Sequence, residues 1–232
     1  MMKRKITKKL EIWKTFADKK ALLVIGARQV GKSYAIRNFG KTHYETYIEI
    51  NLYDNKQARE ALSAASDAAD FITRVTVLSG QAIVPGQTLV FIDEIQESPD
   101  VMTMAKFLVG DGRCHWAFSG SMLGTEFKGV RSYPVGSVHE LTLHPLDFQE
   151  FCWATETSDE ALDIVRQCCQ DETPIAQYIH EALMENFRTY LVVGGMPEAV
   201  ACFLDSEGDL AAVCSVLTDL NQQYRRDISK YA

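Results

Sequence analysis

Apolar residues along this chain recur in two rhythms. From Ala21 to Leu143, short apolar runs alternate with segments of helical spacing. The runs ALLVIG (21–26), YIEIN (47–51), TLVFID (88–93), CHWAFSG (114–120) and VHELTL (138–143) read as strands. Between them, Lys32–Phe39, Gln57–Leu62, Ala68–Leu78 and Val101–Leu108 read as helices. Such alternation predicts an α/β fold whose parallel sheet is covered on both faces. The strands carry few polar residues, as buried central strands should. After Pro145 the rhythm becomes helical throughout. Asp147 with Glu150 marks a helix start, and Ser158 opens a second helix. Thr173-Pro174 opens a third, with Ile175, Tyr178, Ile179, Ala182, Leu183 and Phe187 on one face. Gly194-Gly195 ends it, and Pro197 starts a short helix through Leu204. A last helix carries Leu210, Val213, Cys214, Leu217 and Tyr224 on one stripe. Near the N-terminus, Ile6, Leu10, Ile12, Trp13 and Phe16 predict a first helix with lysines on its outer side.

With 232 residues, 47% of them hydrophobic, the chain can build one sizeable core or a core with a satellite. No apolar run is long enough to cross a bilayer, and no secretion signal follows the basic N-terminus. Six cysteines without a C-x-x-C pair fit reduced, mostly buried thiols and a cytoplasmic location. The net charge of −7 argues against a protein coated for nucleic acid. Yet residues 1–20 hold eight basic and two acidic side chains. That arm could meet phosphates or an acidic partner, or be the solvated face of the first helix.

The chemistry concentrates at strand ends. GARQVGKS, Gly26 to Ser33, fits G-x-x-x-x-G-K-[ST] and lies between a strand and a helix. Its glycines let the loop curl so that backbone N–H groups point inward, and the following helix adds its positive end. Gly26, Ala27, Arg28, Gln29, Val30, Gly31, Lys32, Ser33 and Tyr34 are therefore the candidate phosphate-binding residues. Lys32 brings charge to the β- and γ-phosphates, and the Ser33 hydroxyl can ligate Mg²⁺. TLVFID then ends on Asp93 and Glu94, side by side. Buried acids are costly unless something cationic meets them, and ligands of parallel sheets sit beyond the strands' C-terminal ends. The strand of Asp93 can lie beside the one feeding the phosphate loop. Asp93 would hold Mg²⁺ through its water shell. Glu94 would orient an attacking water, or else be an exposed strand-end residue. Ser119 could sense the γ-phosphate or position that water, or be a turn residue in SGS. Gln96, Arg28 and Gln29 lie near the site, but spacing gives them no role.

GARQVGKS with FIDEIQE resembles the bacterial and archaeal AAA+-type ATPases of the additional-strand class, with Walker A and Walker B motifs. Within them the chain is similar to a prokaryotic group reading G-A-R-Q-V-G-K-[ST], then L-I-F-x-D-E-I-Q-E, then a T-G-S or S-G-S turn. A stretch like SYPVGSVHELTLHPLDFQEF follows, and later YLVVGGMPEAV; all five stand here in order. The resemblance implies a three-layer P-loop fold, a five-stranded parallel sheet in order 5-1-4-3-2, a small helical lid, and ATP with Mg²⁺. It divides the chain into a basic N-terminal helix (1–20), an ATPase core (21–144), a lid (145–205) and a linker helix (206–232). It also implies a further C-terminal domain, whose connection YRRDISKYA resembles. Ser137 stands where relatives often carry a basic residue. No arginine or lysine finger is therefore assigned: Arg113 and Arg131, near strand ends, are candidates, and Arg225 and Arg226 fit a linker helix as well as a lid contact. The activity implied is ATP hydrolysis by a switch or mechanochemical module. The alternatives are a nucleotide-gated binding module with slow hydrolysis, or the ATPase part of a DNA-handling protein. A protein partner or self-association is compatible with each.

Other readings fit less well. LSGQ (78–81) lacks the second glycine of the ABC signature and stands too close to the strand at Val90. NKQA (55–58) lacks the aspartate that reads guanine, and Asp93 is followed by Glu-Ile-Gln rather than x-x-Gly. Cys114, His115, His139 and His144 have no metal-ligand spacing.

Overall fold

The computed structural model describes residues 2–16, 18, 20–121 and 136–231. The chain divides into two compact units, Ile6–Leu143 and Met1–Lys5 with His144–Ala232.

The first unit is built on five parallel strands: β1 (Ala21–Gly26), β2 (Thr46–Asn51), β3 (Thr88–Asp93), β4 (His115–Ser121) and β5 (Val138–Thr142). Their spatial order is β2-β3-β4-β1-β5, the order 5-1-4-3-2 read from the opposite edge. Helices α1 (Lys5–Thr15), α2 (Lys32–His43), α3 (Lys56–Ser63), α4 (Ala68–Ser79) and α5 (Pro99–Asp111) surround them. The alternation of side chains decides which helix covers which face. Leu23, Ile25, Ile48, Ile50, Val90, Ile92, Trp116 and Phe118 share one core with Phe71, Val75, Val101 and Leu108 of α4 and α5. The opposite parity (Leu22, Tyr47, Leu89, Ala117) faces α2. There Gly40 lies against Leu89 and the Tyr47 ring, so close that a Cβ would collide with the ring. α1 adds Trp13 edge-on to Phe39 of α2, ring centroids 6.2 Å apart.

Two expectations are corrected. The strand of Asp93 does not lie beside the strand feeding the phosphate loop, because β4 pairs with both and separates them. Nor are all five strands buried. β1 and β3 are fully buried, whereas the edge strands β2 and β5 are only half-buried or exposed at most positions. An edge strand has one neighbour, so polar residues such as Glu49, His139 and Glu140 are tolerated there.

Local signals explain several boundaries. Asn55, the first residue of NKQA, caps α3 by accepting the Ala58 N–H. Gly80, within LSGQ, closes α4 in the left-handed conformation (φ 66°) that glycine adopts without penalty.

The second unit holds α6 (Phe148–Ala154), α7 (Asp159–Gln170), α8 (Gln177–Val193), α9 (Pro197–Asp205) and α10 (Leu210–Tyr231). Leu146, Phe151, Val193, Ala199, Val200 and Val213 form its core. Asp147 and Glu150 complete a capping box on α6, and Ser158 caps α7. α8 begins at Gln177, later than Thr173-Pro174, because the Thr173 N–H is bonded to the Cys168 carbonyl and Ala176 is the cap. Its buried positions are Ile179 and Val193, while Tyr178 is 73% exposed. On α10, Val213 and Leu220 are buried, and Leu210 and Cys214 are exposed. Periodicity identified both helices, but it does not say which side of an apolar helix finds a neighbour.

Three cations of the N-terminal arm are engaged within this unit. Lys3 pairs with Asp159 at 2.5 Å, Arg4 with buried Glu150 at 3.2 Å, and Lys5 with Asp147 at 2.5 Å. These carboxylates neutralise part of the arm's charge locally. Among the described residues, no helix is long and apolar enough to cross a membrane.

The packing gives a contrast between two glycines. Gly40→Val is expected to lower the unfolding free energy by about 1–3 kcal/mol, through overpacking against Tyr47 and Leu89. Gly110→Ala, on α5 with nothing within 4 Å of the added Cβ, should raise it by up to about 1 kcal/mol. Urea unfolding of both variants checks the pair, and equal effects would contradict the placement of α2.

Candidate functional site

The site gathers at the C-terminal edge of the sheet, on the face covered by α2. After β1, the backbone runs through Gly26 and the loop to Gly31, the N-cap of α2. A Cβ on Gly26 would run into the Leu143 carbonyl oxygen, so only glycine fits. Gly31 is left-handed (φ 93°, ψ 23°), and so is Gln29 (φ 61°). In this unit α3, α4 and α5 each have a capping side chain, from Asn55, Asp67 and Ser98. α2 has none, and no acid stands in its first turn. Its first-turn N–H groups, those of Lys32, Ser33 and Tyr34 included, are therefore left without an intrahelical or capping acceptor, which suits an anion. Val30 is fully buried under the loop, and Tyr34 is exposed.

Lys32 is 5% exposed. Its ammonium donates to the carbonyls of Gly26 (3.0 Å) and Ala27 (2.7 Å). Burial lowers its pKa from the ordinary lysine value, while Glu94 and then Asp93 oppose the shift and Arg28 adds to it. The ammonium thus sits in the field of both carboxylates.

Register supplies the acids' surroundings. Asn51 pairs with Asp93 across β2 and β3, and Ile92 with Phe118 across β3 and β4, which sets Asp93 beside Ser119. All three share the parity of the α2 face. Asp93 is 4% exposed. One of its oxygens, Oδ1, accepts from Ser33 Oγ at 3.0 Å and from Ser119 Oγ, while Oδ2 accepts from Asn51 Nδ2 at 3.3 Å. Asn51 Oδ1 accepts the Tyr53 and Asp54 N–H groups (2.8 and 3.0 Å), which turns its amide nitrogen toward Asp93.

In a straight strand, Glu94 would point away from Asp93, to the other face. Instead it adopts φ 55°, ψ 51°, and the chain enters a short 3-10 turn, Ile95–Glu97. A left-handed glutamate costs about 1–3 kcal/mol. The turn buries Ile95 completely. The Glu94 N–H meets Asp93 Oδ1 (3.1 Å) and Ser119 Oγ (3.2 Å), and Glu94 Oε2 accepts from Ser121 Oγ at 3.2 Å. Both carboxylates are thereby brought to one side of the sheet.

Of the residues singled out from sequence, Ser33, Asp93, Glu94 and Ser119 are joined here by hydrogen bonds, beside Lys32 and the rest of the loop 26–34. Asn51 and Ser121 were not anticipated. Their signal was the one that singled out Ser119, a polar residue at the tip of an apolar strand. Gln96, to which spacing gave no role, donates to Glu94 Oε2. Of the candidate fingers, Arg113 is held by Asp111 through two hydrogen bonds, 2.7 and 3.0 Å. Arg225 and Arg226 lie on α10, and Arg131 lies outside the described residues.

The donor set suits a small hard cation. A hydroxyl and a carboxylate oxygen stand 3.0 Å apart at a helix start. Among the described residues, the hydrogen bonds to Asp93 come from hydroxyls and amide N–H groups, none of them charged. Oxygen donors, few carboxylates and room for waters are what Mg²⁺ takes. Among the described residues, no group of three or more His, Cys, Asp or Glu side chains could hold a metal.

Comparison with known proteins bears on the family and the fold. A family model described as AAA domain matches residues 18–152. No curated protein matches in sequence. Among solved structures, C. elegans PCH-2 is similar at 10% identity with a TM-score of 0.50, covering 91% of this chain. The chain spans 66% of that protein's length. The Aeropyrum pernix Orc1 protein, solved in complex with DNA, aligns at 13% identity with a TM-score of 0.43, over 94% of this chain and 81% of its own. At 10% identity the first likeness speaks for the fold alone, and the second carries no argument.

Burial raises the Asp93 pKa above the ordinary aspartate value, with the Ser119 and Ser33 hydrogen bonds pulling it down. The folded protein therefore favours the protonated form more than the unfolded chain does. Ionisation costs stability as pH rises through the folded-state pKa, and the cost vanishes below the unfolded-state value. Asp93→Asn should accordingly raise the urea midpoint of the nucleotide-free protein at about pH 8. The gain should shrink as the pH approaches ~4. A lower midpoint at both pH values would contradict this electrostatic picture.

Proposed function

The chain belongs to the AAA domain family of nucleotide-binding ATPases, and on that premise we propose that it binds ATP with Mg²⁺ and hydrolyses the terminal phosphoanhydride. The observation that carries this is the convergence of Lys32 and Ser33 from α2 with Asp93 and Glu94 from the end of β3, sealed by the Ser33–Asp93 hydrogen bond.

In this reading the backbone N–H groups from Ala27 to Tyr34 hold the phosphates. Lys32 leaves the Gly26 and Ala27 carbonyls and turns its ammonium onto the β- and γ-oxygens. Ser33 and Asp93 are the residues that would hold Mg²⁺, which would supply neutralisation of phosphate charge. Glu94 orients a water whose oxygen bonds to the γ-phosphorus as the bridging P–O bond breaks. ADP leaves with that bond's electrons, and the water's proton passes to the Glu94 carboxylate on the way to inorganic phosphate. Ser119, hydrogen-bonded to Asp93 and to the Glu94 N–H, links the γ-phosphate end of the site to both acids. Helices α6–α9 would act as the lid, and a protein partner or a second copy would receive the output. Nucleic acid is less well supported, since Lys3, Arg4 and Lys5 are engaged by carboxylates.

Lys32→Ala should weaken ATP binding about 10- to 100-fold, the range for losing charge-assisted hydrogen bonds worth about 1.5–3 kcal/mol. Calorimetric titration with ATP and Mg²⁺ checks this. Undiminished affinity in the variant would remove the phosphate loop from the proposal.

A further inference from the structure

Gln96 occupies a place in the site that neither the phosphate loop nor the acid pair accounts for. Its Nε2 donates to Glu94 Oε2, and its Oε1 accepts the Ser121 backbone N–H at 3.3 Å. Ser121 Oγ donates to the same Glu94 oxygen at 3.2 Å. The three residues close a ring. The orientation of the Gln96 amide follows from it, since a carboxylate requires the nitrogen on one side and an N–H requires the oxygen on the other. The amide offers both functions on one planar group. A carboxylate at position 96 would repel Glu94, and a lysine would have nothing to accept the Ser121 N–H.

The ring controls the freedom of Glu94. The backbone N–H of Glu94 is fixed by Asp93 and Ser119, and the buried Ile95 anchors the residue after it. Among the described residues, the side chain is fixed at its far end through one oxygen, Oε2. Two donors fill Oε2, and among the described residues no hydrogen bond engages Oε1, the oxygen this reading gives to the water. A carboxylate that must orient a nucleophile gains by such restraint, because a misplacement of about 1 Å can cost on the order of 10²-fold in rate.

Resting on the hydrolysis proposed above, we propose that Gln96, with Ser121, is a positioning residue: it holds one oxygen of Glu94 so that the other orients the attacking water. Because Ser119 and Ser121 both belong to β4, the ring also ties Glu94 to the strand that carries the candidate γ-phosphate sensor. A shift of the β4 tip when the γ-phosphate arrives or leaves would move Glu94 with it.

The test is steady-state and single-turnover ATP hydrolysis, beside ATP affinity, for the unsubstituted protein, Gln96→Leu, Ser121→Ala, Glu94→Gln and the double variant Glu94→Gln/Gln96→Leu. Gln96→Leu should lower kcat about 10- to 100-fold while the ATP Kd changes less than about threefold. Ser121→Ala, which keeps the backbone N–H, should show a smaller loss of the same kind. Adding Gln96→Leu to Glu94→Gln should cost nothing further, because the group it positions is already gone. Urea midpoints show whether each variant is folded, and Ser121→Ala decides the matter if Gln96→Leu is not. Unchanged kcat in folded Gln96→Leu overturns the inference, as does an equal loss in the Glu94→Gln background. If the unsubstituted protein binds ATP without hydrolysing it, the proposed function itself fails and takes this inference with it. Normal turnover in all the Gln96 and Ser121 variants sinks the inference alone.

Discussion

A carboxylate at the end of a fully buried strand is the constraint on which the rest of this site depends. Asp93 cannot be left bare in the sheet, so three neighbouring elements contribute a hydrogen-bond donor to it: Ser33 from α2, Ser119 from β4 and Asn51 from β2. None of these donors is charged. They satisfy the oxygens without neutralising them, and burial keeps the carboxyl pKa raised. The protein accepts that cost at the one point where a cation and a phosphate would offset it. The same tension surrounds Lys32, whose ammonium is buried and held for now by loop carbonyls.

Geometry then follows from two simple rules. Strand alternation puts Asn51, Asp93 and Ser119 on the face covered by α2, and parallel register lines up their positions across β2, β3 and β4. The left-handed turn at Glu94 breaks the alternation once. It delivers a second carboxylate to the same face and buries Ile95 as the anchor of the turn. Backbone strain, an uncapped α2 and an unneutralised buried acid all occur within this small region, as local rules do where function overrides them.

How much of this was legible in the sequence depended on whether the signal was contiguous. GARQVGKS and FIDEIQE are unbroken words whose chemistry can be read without knowing the fold. The five strands were legible because each is a short apolar run between polar turns. What escaped was information that exists only across strands. Asn51 is an ordinary polar residue until register sets it against Asp93. Gln96 and Ser121 are 25 residues apart in sequence and meet only because β3 and β4 are neighbours. The intervening position of β4 could not be read from the strands one by one, although the resemblance to a known family implied it. The exposed face of α8 escaped for another reason: apolar spacing marks a helix but does not say which neighbour covers it. The pairing of Lys3, Arg4 and Lys5 with Asp159, Glu150 and Asp147 spans most of the chain and likewise leaves no local trace.

The most direct test of the account is phosphate release from ATP, with Mg²⁺ and with the metal chelated, by the unsubstituted protein and by Glu94→Gln, together with the ATP affinity of each. Mg²⁺-dependent release by the unsubstituted protein is the expected result. Glu94→Gln is expected to bind ATP about as tightly and to turn over about 10²- to 10⁴-fold more slowly. Equal turnover by the two proteins, or release that is indifferent to Mg²⁺, would contradict the proposed hydrolysis.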